Sequence, residues 1–177
     1  MAKRKRGVKV SSKSKKKVNW KVLIWCLIFV FLAGGIGSFF TSSGMESQWY
    51  YLIKPNMSPA NWVFPVVWNT IFVLVAYSAY FGWMKVRDNK NKKYTMIGLF
   101  AVNLILNVLW SFIFFYQMNA FGAFVELLFL WFSIFALVLW FWKIERRSSY
   151  LLLPYLFWVV FAGWLNWQAY LNFSLMG

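Results

Sequence analysis

Five long stretches of this chain are free, or nearly free, of charged side chains. Four carry no charge at all, and the fifth carries only Glu126; they span residues 22–40, 62–84, 94–116, 150–176 and, with Glu126, 120–142. A helix of roughly 20 residues, rising ~1.5 Å per residue, crosses a hydrocarbon core about 30 Å thick. A membrane β-barrel would instead show alternating segments of roughly 10 residues, and the sequence has none. We therefore predict an all-α membrane protein in which residues 20–177 form a single bundle of five transmembrane helices. The 62% hydrophobic content agrees, because it lies above that of soluble domains.

The basic residues lie almost entirely at one end of the predicted helices. Ten of the 19 lysines and arginines stand at or before Lys21, five lie in residues 85–93 and three in residues 143–147, so that only Lys54 falls on the opposite face. Cytoplasmic loops of membrane proteins are enriched in Lys and Arg. We therefore expect a multi-pass protein of the cell membrane with a cytoplasmic N-terminus and an external C-terminus.

A net charge of +15 is also typical of nucleic-acid-binding proteins. Because the basic residues are confined to one face of the membrane, attraction to the anionic lipid bilayer is favoured instead, and we expect no nucleic acid partner.

Residues 1–19 are rich in Lys, Arg, Ser and Val and cannot bury a core, so we expect a basic, disordered cytoplasmic tail. A secretory signal peptide is the alternative for the first 40 residues, because the small residues at 33–35 resemble a cleavage site. The apolar run, however, continues past them to Phe40.

Small residues also recur four apart in this run, a spacing that lets helices approach closely. They indicate either packing within the bundle or the seam of a homodimer: Ala33, Gly34, Gly37 and Ser38.

The segment from Trp49 to Trp68 joins the first two apolar runs at the membrane surface. Pro55 and Pro59 each lack a backbone N–H and fix φ, which excludes a continuous helix and a central strand. Aromatic residues on both sides of the prolines supply a packing surface, which predicts an ordered Pro/Trp-rich loop between helices 1 and 2. Ordered non-helical backbone above a membrane bundle is typical of a segment that covers a site.

This segment closely resembles the signature of the tryptophan-rich sensory protein family, also called the translocator protein or peripheral benzodiazepine receptor family. Eleven residues match it: Trp49, Tyr50, Leu52, Lys54, Pro55, Pro59, Trp62, Phe64, Pro65, Val67 and Trp68. Four positions depart from it, where an aromatic residue, a second proline, Thr and Tyr are usual: Met57, Ala60, Asn69 and Phe72. Two later motifs are similar to the family's as well: Asn103, Asn107, Trp110, Ser111, Phe114 and Phe115, and then Pro154, Tyr155, Trp158, Phe161, Ala162, Leu165 and Asn166. The resemblance covers about residues 20–173.

The chain has one cysteine, Cys26, and no histidine. The commonest metal ligand, the commonest haem axial ligand and the commonest general base are therefore missing. The sequence also lacks a glycine-rich phosphate loop and a nucleophile elbow. Hydrolytic and metal-dependent catalysis are disfavoured, and we expect no metal site and no resident cofactor.

Polar and aromatic residues form stripes along four of the predicted helices. In the third helix Asn103, Asn107 and Trp110 follow i, i+4, i+7 spacing and share one face. The other three helices carry similar stripes: Phe64, Trp68 and Phe72; Gly122, Glu126 and Ser133; and Trp158, Ala162 and Asn166. Taken singly, such residues are usually hydrogen-bonding contacts between helices or an interfacial aromatic belt. Four stripes beneath a proline-bounded segment together predict a ligand pocket inside the bundle.

Glu126 is predicted to lie about 10 Å inside the membrane, on the face of its helix that points into the bundle. A charge at that depth costs a few kcal/mol unless it is paired, hydrated or protonated. The neighbours on its stripe, Gly122 and Ser133, are small or polar. The alternative is that the carboxyl merely anchors a neighbouring Asn or Trp N–H group.

The resemblance implies a ligand as well as a fold. Members of the family bind porphyrins such as protoporphyrin IX, sterols in animals, and synthetic benzodiazepine-site ligands. The implied pocket residues are Trp68, Asn103, Asn107, Trp158 and Ala162, with Tyr50 in the covering loop; Trp110 joins them on the face of the two asparagines. The short sterol pattern needs a basic residue after Tyr170, and the sequence has none there, so a sterol or other lipid is the weaker expectation.

Three functions fit these features. The first is a membrane receptor or carrier for tetrapyrroles and related hydrophobic ligands. The second is an enzyme that degrades porphyrin with light and oxygen, as the resemblance to bacterial members implies, with Trp68 and Trp158 as catalytic residues. The third is a regulatory or structural membrane partner for other proteins.

The predicted orientation is tested by cysteine labelling of Ser14 and Ser174 variants in intact cells. Because 18 of the 19 basic residues then lie inside, a membrane-impermeant reagent should label position 174 and leave position 14 unmodified. Preferential labelling at position 14 would contradict the orientation.

Overall fold

Five helices of the structure, a computed structural model that describes residues 18–175, are long and apolar enough to cross a membrane. The elements are α1 Trp20–Met45, α2 Gln48–Ile53, α3 Val63–Val86, α4 Lys90–Ser111 with a π-helical continuation Phe112–Tyr116, α5 Ala120–Ile144 and α6 Arg146–Ser174. The described residues contain no strand. The predicted all-α fold with five membrane-spanning helices is therefore confirmed. The predicted disordered tail falls on residues that are mostly outside the described part of the chain.

Polar side chains cap the N-termini of most helices. Asn19, Asn89 and Asn119 each precede a long helix and accept a hydrogen bond from a backbone N–H in its first turn, at 3.4, 3.0 and 2.8 Å. Ser47 does the same for the short helix α2, where it accepts from the N–H of Tyr50 at 3.2 Å. The first N–H groups of a helix have no partner within the helix, so these caps fix where each helix begins.

Helices α5 and α6 form an antiparallel pair whose register is set by side-chain hydrogen bonds to backbone carbonyls. Ser149 Oγ donates to the carbonyl of Val138 at 2.9 Å, and Asn166 Nδ2 donates to that of Ala120 at 2.6 Å. Ser148 of α6 and Ser78 of α3 each donate to the other's carbonyl at 2.9 Å. These bonds satisfy buried polar groups that lipid could not satisfy, and they hold α6 against both neighbours.

The small residues of α1 pack inside the bundle. Gly34 and Gly37 are both buried; Gly34 faces the ring of Phe72, and a Cβ on Gly37 would lie 3.4 Å from Ser111 Oγ. Packing within the bundle therefore accounts for these two positions, and a homodimer seam stays a prediction.

The short helix α2 lies on the end of the bundle where α1 ends and α5 begins. Ile53 is fully buried in a cluster with Phe114, Phe115 and alanines of α5 and α6. The Ile53 carbonyl accepts a 3.1 Å hydrogen bond from Asn172 Nδ2 of α6. The π-helical turn supports this contact, because it presents Phe114 to Trp49 and Phe115 to Tyr50 at ring-centre distances of 5.4 and 5.7 Å. π-Turns often occur at functional sites.

Replacing Gly44 by Ala should destabilise the fold. A Cβ at this position would lie 2.5 Å from Phe115 Cβ and 2.9 Å from the Phe115 carbonyl oxygen, so helix backbone would have to move. Overpacking of this kind costs about 1–3 kcal/mol. Unfolding of the purified protein by added sodium dodecyl sulfate measures the change. Gly35→Ala is the matched control, since its Cβ would meet no atom within 4 Å; equal stability of the two variants would contradict the close contact.

Candidate functional site

The polar face of α4 makes the central hydrogen bonds of the bundle. Asn103 Nδ2 donates to Ser133 Oγ of α5 at 2.8 Å, Asn107 Nδ2 to Tyr155 Oη of α6 at 3.0 Å, and Trp110 Nε1 to Asn166 Oδ1 of α6 at 3.0 Å. The two asparagines are buried. The prediction that Asn103, Asn107 and Trp110 share one inward face is confirmed. Their bonds also match the simpler role of holding helices together.

Aromatic rings of α3 and α6 stand beside these bonds. Trp68 packs on Tyr155 with ring centres 6.0 Å apart and on Phe72 at 5.6 Å. Trp158 packs on Phe64 of α3 at 6.1 Å and on Phe161 at 5.4 Å. In the described part of the chain the rings of Trp68 and Trp158 do not contact each other. Each instead joins α3 to α6, so the two indoles belong to one aromatic wall between these helices.

Two further predicted residues lie at the edges of this arrangement. Ala162 is half-buried on α6, one turn from Trp158 and one turn from Asn166. Tyr50 of α2 is half-buried on Phe115, and Lys54 Nζ stands 6.0 Å from its ring centre. Burial raises the pKa of the Tyr50 hydroxyl, so it stays a neutral hydrogen-bond donor at neutral pH. Because that pKa is higher in the folded protein than in the unfolded chain, the free energy of unfolding falls as the pH rises above about 10, where the unfolded chain ionises first.

Two open grooves run along the outer faces of the bundle. One, of about 430 Å³, lies between α1 and α4 and is lined by apolar side chains together with Ala33. The other, of about 400 Å³, lies between α3 and α6 and includes Trp158. Of the predicted site residues only Trp158 lines either groove. The remaining ones contact each other or their neighbours across helices.

Within residues 18–175, four buried side-chain atoms on three residues have no hydrogen-bond partner. They are both carboxyl oxygens of Glu126 and the indole nitrogens of Trp131 and Trp158. Glu126 is only 5% exposed, which confirms that it faces the bundle interior. Unpartnered buried polar groups are uncommon in folded proteins and call for an explanation.

Tyr155 is central to the contacts between helices, but it is not among the site residues predicted from the sequence. It bonds Asn107 and packs on Trp68, so it joins α3, α4 and α6. The signal was present, because Tyr155, Ala162 and Asn166 follow helical spacing on one face of α6. Sequence reasoning also missed the pairing of Asn103 with Ser133, because spacing along a helix gives a face and not its partner.

The chain matches the model of the TspO/MBR family over residues 26–171. It is similar to "Tryptophan-rich protein TspO" of Chlorobaculum tepidum, with 35% identity over 81% of this chain and 90% of that protein. It is also 35% identical to "Protein CrtK" of Rhodobacter capsulatus over 78% of this chain and 84% of that protein. The human "Translocator protein" is 31% identical, over 77% and 83% of the two chains. The resemblance noted in the motifs is thereby confirmed.

Replacing Asn166 by Ala should destabilise the bundle by about 1–3 kcal/mol, because the Trp110 N–H and the Ala120 carbonyl would both lose their buried partner. Asn69→Ala is the control, since the Asn69 side chain is exposed and bonds only the carbonyl of Pro65, one turn earlier. Unfolding by sodium dodecyl sulfate gives both values. A loss for Asn166→Ala no greater than for Asn69→Ala would contradict the role of this bridge.

Proposed function

The chain belongs to the TspO/MBR family of membrane proteins, and from that premise we propose that it is a receptor or carrier for tetrapyrroles similar to protoporphyrin IX. The binding region comprises the α3/α6 groove and the aromatic wall behind it. The names of the relatives, translocator and tryptophan-rich protein, fit such a role. With the predicted orientation, the end of the bundle covered by α2 faces the outside of the cell.

One observation carries this proposal, namely that the groove and the polar centre are separated by a single layer of side chains. Val67 and Pro154 line the groove, while the next residues along each helix, Trp68 and Tyr155, turn inward and touch each other. Behind Tyr155 lies the amide of Asn107. A ligand in the groove therefore needs to displace only this layer to reach hydrogen-bonding groups. A concave apolar site of 300–1,000 Å³ with a few polar groups is typical of small-molecule binding.

The chemistry of a tetrapyrrole suits this region. Its flat π-face can stack on the Trp158 and Phe161 rings of α6, as aromatic pairs do. Its carboxylates need a cation or water, and the groove reaches to Val66, within one turn of the start of α3. Lys54 lies at that same end of the bundle, where its Nζ donates to Asn61 Oδ1 at 2.7 Å. A tetrapyrrole bound in this way would have its apolar ring system in the membrane and its acids at the surface.

A second function, light- and oxygen-dependent porphyrin degradation, is favoured by one feature. The Trp158 indole borders the groove, and its N–H has no acceptor, so an oxidisable ring stands beside the proposed porphyrin. In this reaction Trp158 and Trp68 would be needed for chemistry as well as for contact.

Trp158→Phe and Trp68→Phe should each weaken protoporphyrin IX binding by up to roughly tenfold, because an aromatic contact contributes about 0.5–1.5 kcal/mol beyond its buried area. Quenching of tryptophan fluorescence in the dark measures the affinity. Trp25→Phe is the control, because the Trp25 side chain is 59% exposed on the lipid-facing side of α1 and packs on Phe29 of the same helix. Unchanged affinity in the double variant of Trp68 and Trp158 would contradict the site.

The same variants under illumination separate the two functions. A receptor or carrier leaves the absorption spectrum of bound protoporphyrin the same for wild type and variants. An enzyme forms a product in the wild type with light and oxygen, and loses it in Trp68→Phe or Trp158→Phe while the porphyrin still binds.

A further inference from the structure

Glu126 is a buried acid that has no role in the proposed tetrapyrrole site. Both of its carboxyl oxygens lack a hydrogen-bond donor, and the residue is 5% exposed. It lies six residues into α5, roughly 9 Å below the helix start at ~1.5 Å per residue. A carboxylate without a partner in such surroundings costs several kcal/mol. Among residues 18–175 no side chain satisfies this carboxyl, so its hydrogen-bonding capacity is open to a ligand.

No described basic side chain lies near enough to pair with Glu126. Lys54 is outside the spans and bonded to Asn61, and the other described basic residues lie at the opposite end of the helices: Lys21, Lys85, Arg87, Lys90, Lys92, Lys93, Lys143, Arg146 and Arg147. Among residues 18–175 the one ion pair joins Arg87 to Asp88. Tyr155, whose hydroxyl accepts a hydrogen bond from Asn107, supplies no cation either. No described side chain therefore supplies a cation for this acid.

The register of α5 against α6 shows which residues of α6 lie level with the acid. Asn166 lies level with Ala120 and Ser149 level with Val138, so Glu126 is level with residues 159–163 of the antiparallel helix. That turn contains the small residues Ala162 and Gly163. A Cβ built on Gly163 would meet no atom within 4 Å. Small residues of α6 therefore lie at the level of the carboxyl, and the space at Gly163 is open.

Aromatic side chains lie near this level on α4 and α6. Tyr155 of α6 lies less than two turns before residues 159–163, and its hydroxyl is bonded to Asn107 of α4. Trp110 of α4 packs in the cluster that includes Ala123, one turn from Glu126 on α5. A carboxylate near several aromatic faces is the arrangement that recognises organic cations, because ring quadrupoles attract an ammonium group and the carboxylate pairs with it. The same carboxylate would repel the acids of a tetrapyrrole from this depth.

We propose that Glu126, together with Tyr155 and Trp110, forms a second recognition site that takes hydrophobic amines in their positively charged form. The ammonium group pairs with the carboxylate, any proton that the carboxyl held leaves to water, and the apolar part of the amine lies along Ala162 and Gly163. This ligand class is distinct from the anionic tetrapyrroles of the groove.

Paired probes of equal shape test this site. Isothermal titration calorimetry of the full chain in phosphatidylcholine nanodiscs compares 1-naphthylmethylammonium with neutral 1-naphthylmethanol, after subtraction of binding to empty nanodiscs. Wild type should bind the ammonium at least tenfold more tightly than the alcohol. Glu126→Gln should reduce this ratio to about one to two, and Glu126→Asp should keep it above that of Glu126→Gln. Glu46→Gln, which removes an exposed acid at the end of α1, should keep the wild-type ratio.

Equal ratios in wild type and Glu126→Gln would overturn the site. A wild-type ratio near one would overturn it without any variant, so the test does not depend on the folding of a mutant. Protoporphyrin quenching measured on the same samples is a separate result. Loss of amine selectivity with porphyrin binding intact contradicts only the amine site, whereas a wild type that prefers the amine and does not bind porphyrin contradicts only the tetrapyrrole proposal.

Discussion

The need to satisfy polar groups inside an apolar bundle governs this structure. Lipid offers no hydrogen-bonding partner, so the inward polar side chains of α4 find theirs on neighbouring helices. Asn103 finds Ser133, Asn107 finds Tyr155 and Trp110 finds Asn166. Together these bonds tie α4 to α5 and α6 at three levels through the membrane. Because α6 is also held to α3 by Ser78 and Ser148, four helices share one framework.

A few buried polar groups of the described residues have no hydrogen-bond partner, and their positions indicate where a ligand would bind. Among the described residues the Glu126 carboxyl and the N–H groups of Trp131 and Trp158 are buried without partners, whereas the inward asparagines of α4 and α6 are all paired. Glu126 and Trp158 lie on the helices that border the α3/α6 groove or the polar centre. Their free hydrogen-bonding capacity and the apolar groove of about 400 Å³ are the two properties that a ligand would use. The polar side chains that have hydrogen-bond partners hold the helices together. Those without partners have hydrogen-bonding capacity that a ligand would use.

Much of this architecture could be predicted from the sequence, because length and charge alone define membrane-spanning helices. The inward face of α4 also followed from the i, i+4, i+7 spacing of Asn103, Asn107 and Trp110. The pairing of helices did not follow, since it depends on contacts such as that of Ser149 with the Val138 carbonyl, which join residues on different helices. The helix α2 could not be predicted either, because six residues are too few for a clear period and its position depends on Phe114 and Phe115 in the π-turn. The motifs pointed to the pocket residues, but they could not show that these side chains contact one another between closely packed helices.

The central claim is that the aromatic wall between α3 and α6 contacts the ligand. Indole N–H resonances of the protein labelled with ¹⁵N-tryptophan, recorded by NMR during titration with protoporphyrin IX in the dark, test it directly. The account predicts that the Trp68 and Trp158 resonances shift and saturate at a stoichiometric amount of porphyrin, while those of the exposed Trp25 and Trp142 stay unchanged. Shifts confined to Trp25, Trp142 and other lipid-facing tryptophans, with Trp68 and Trp158 unaffected, would contradict it.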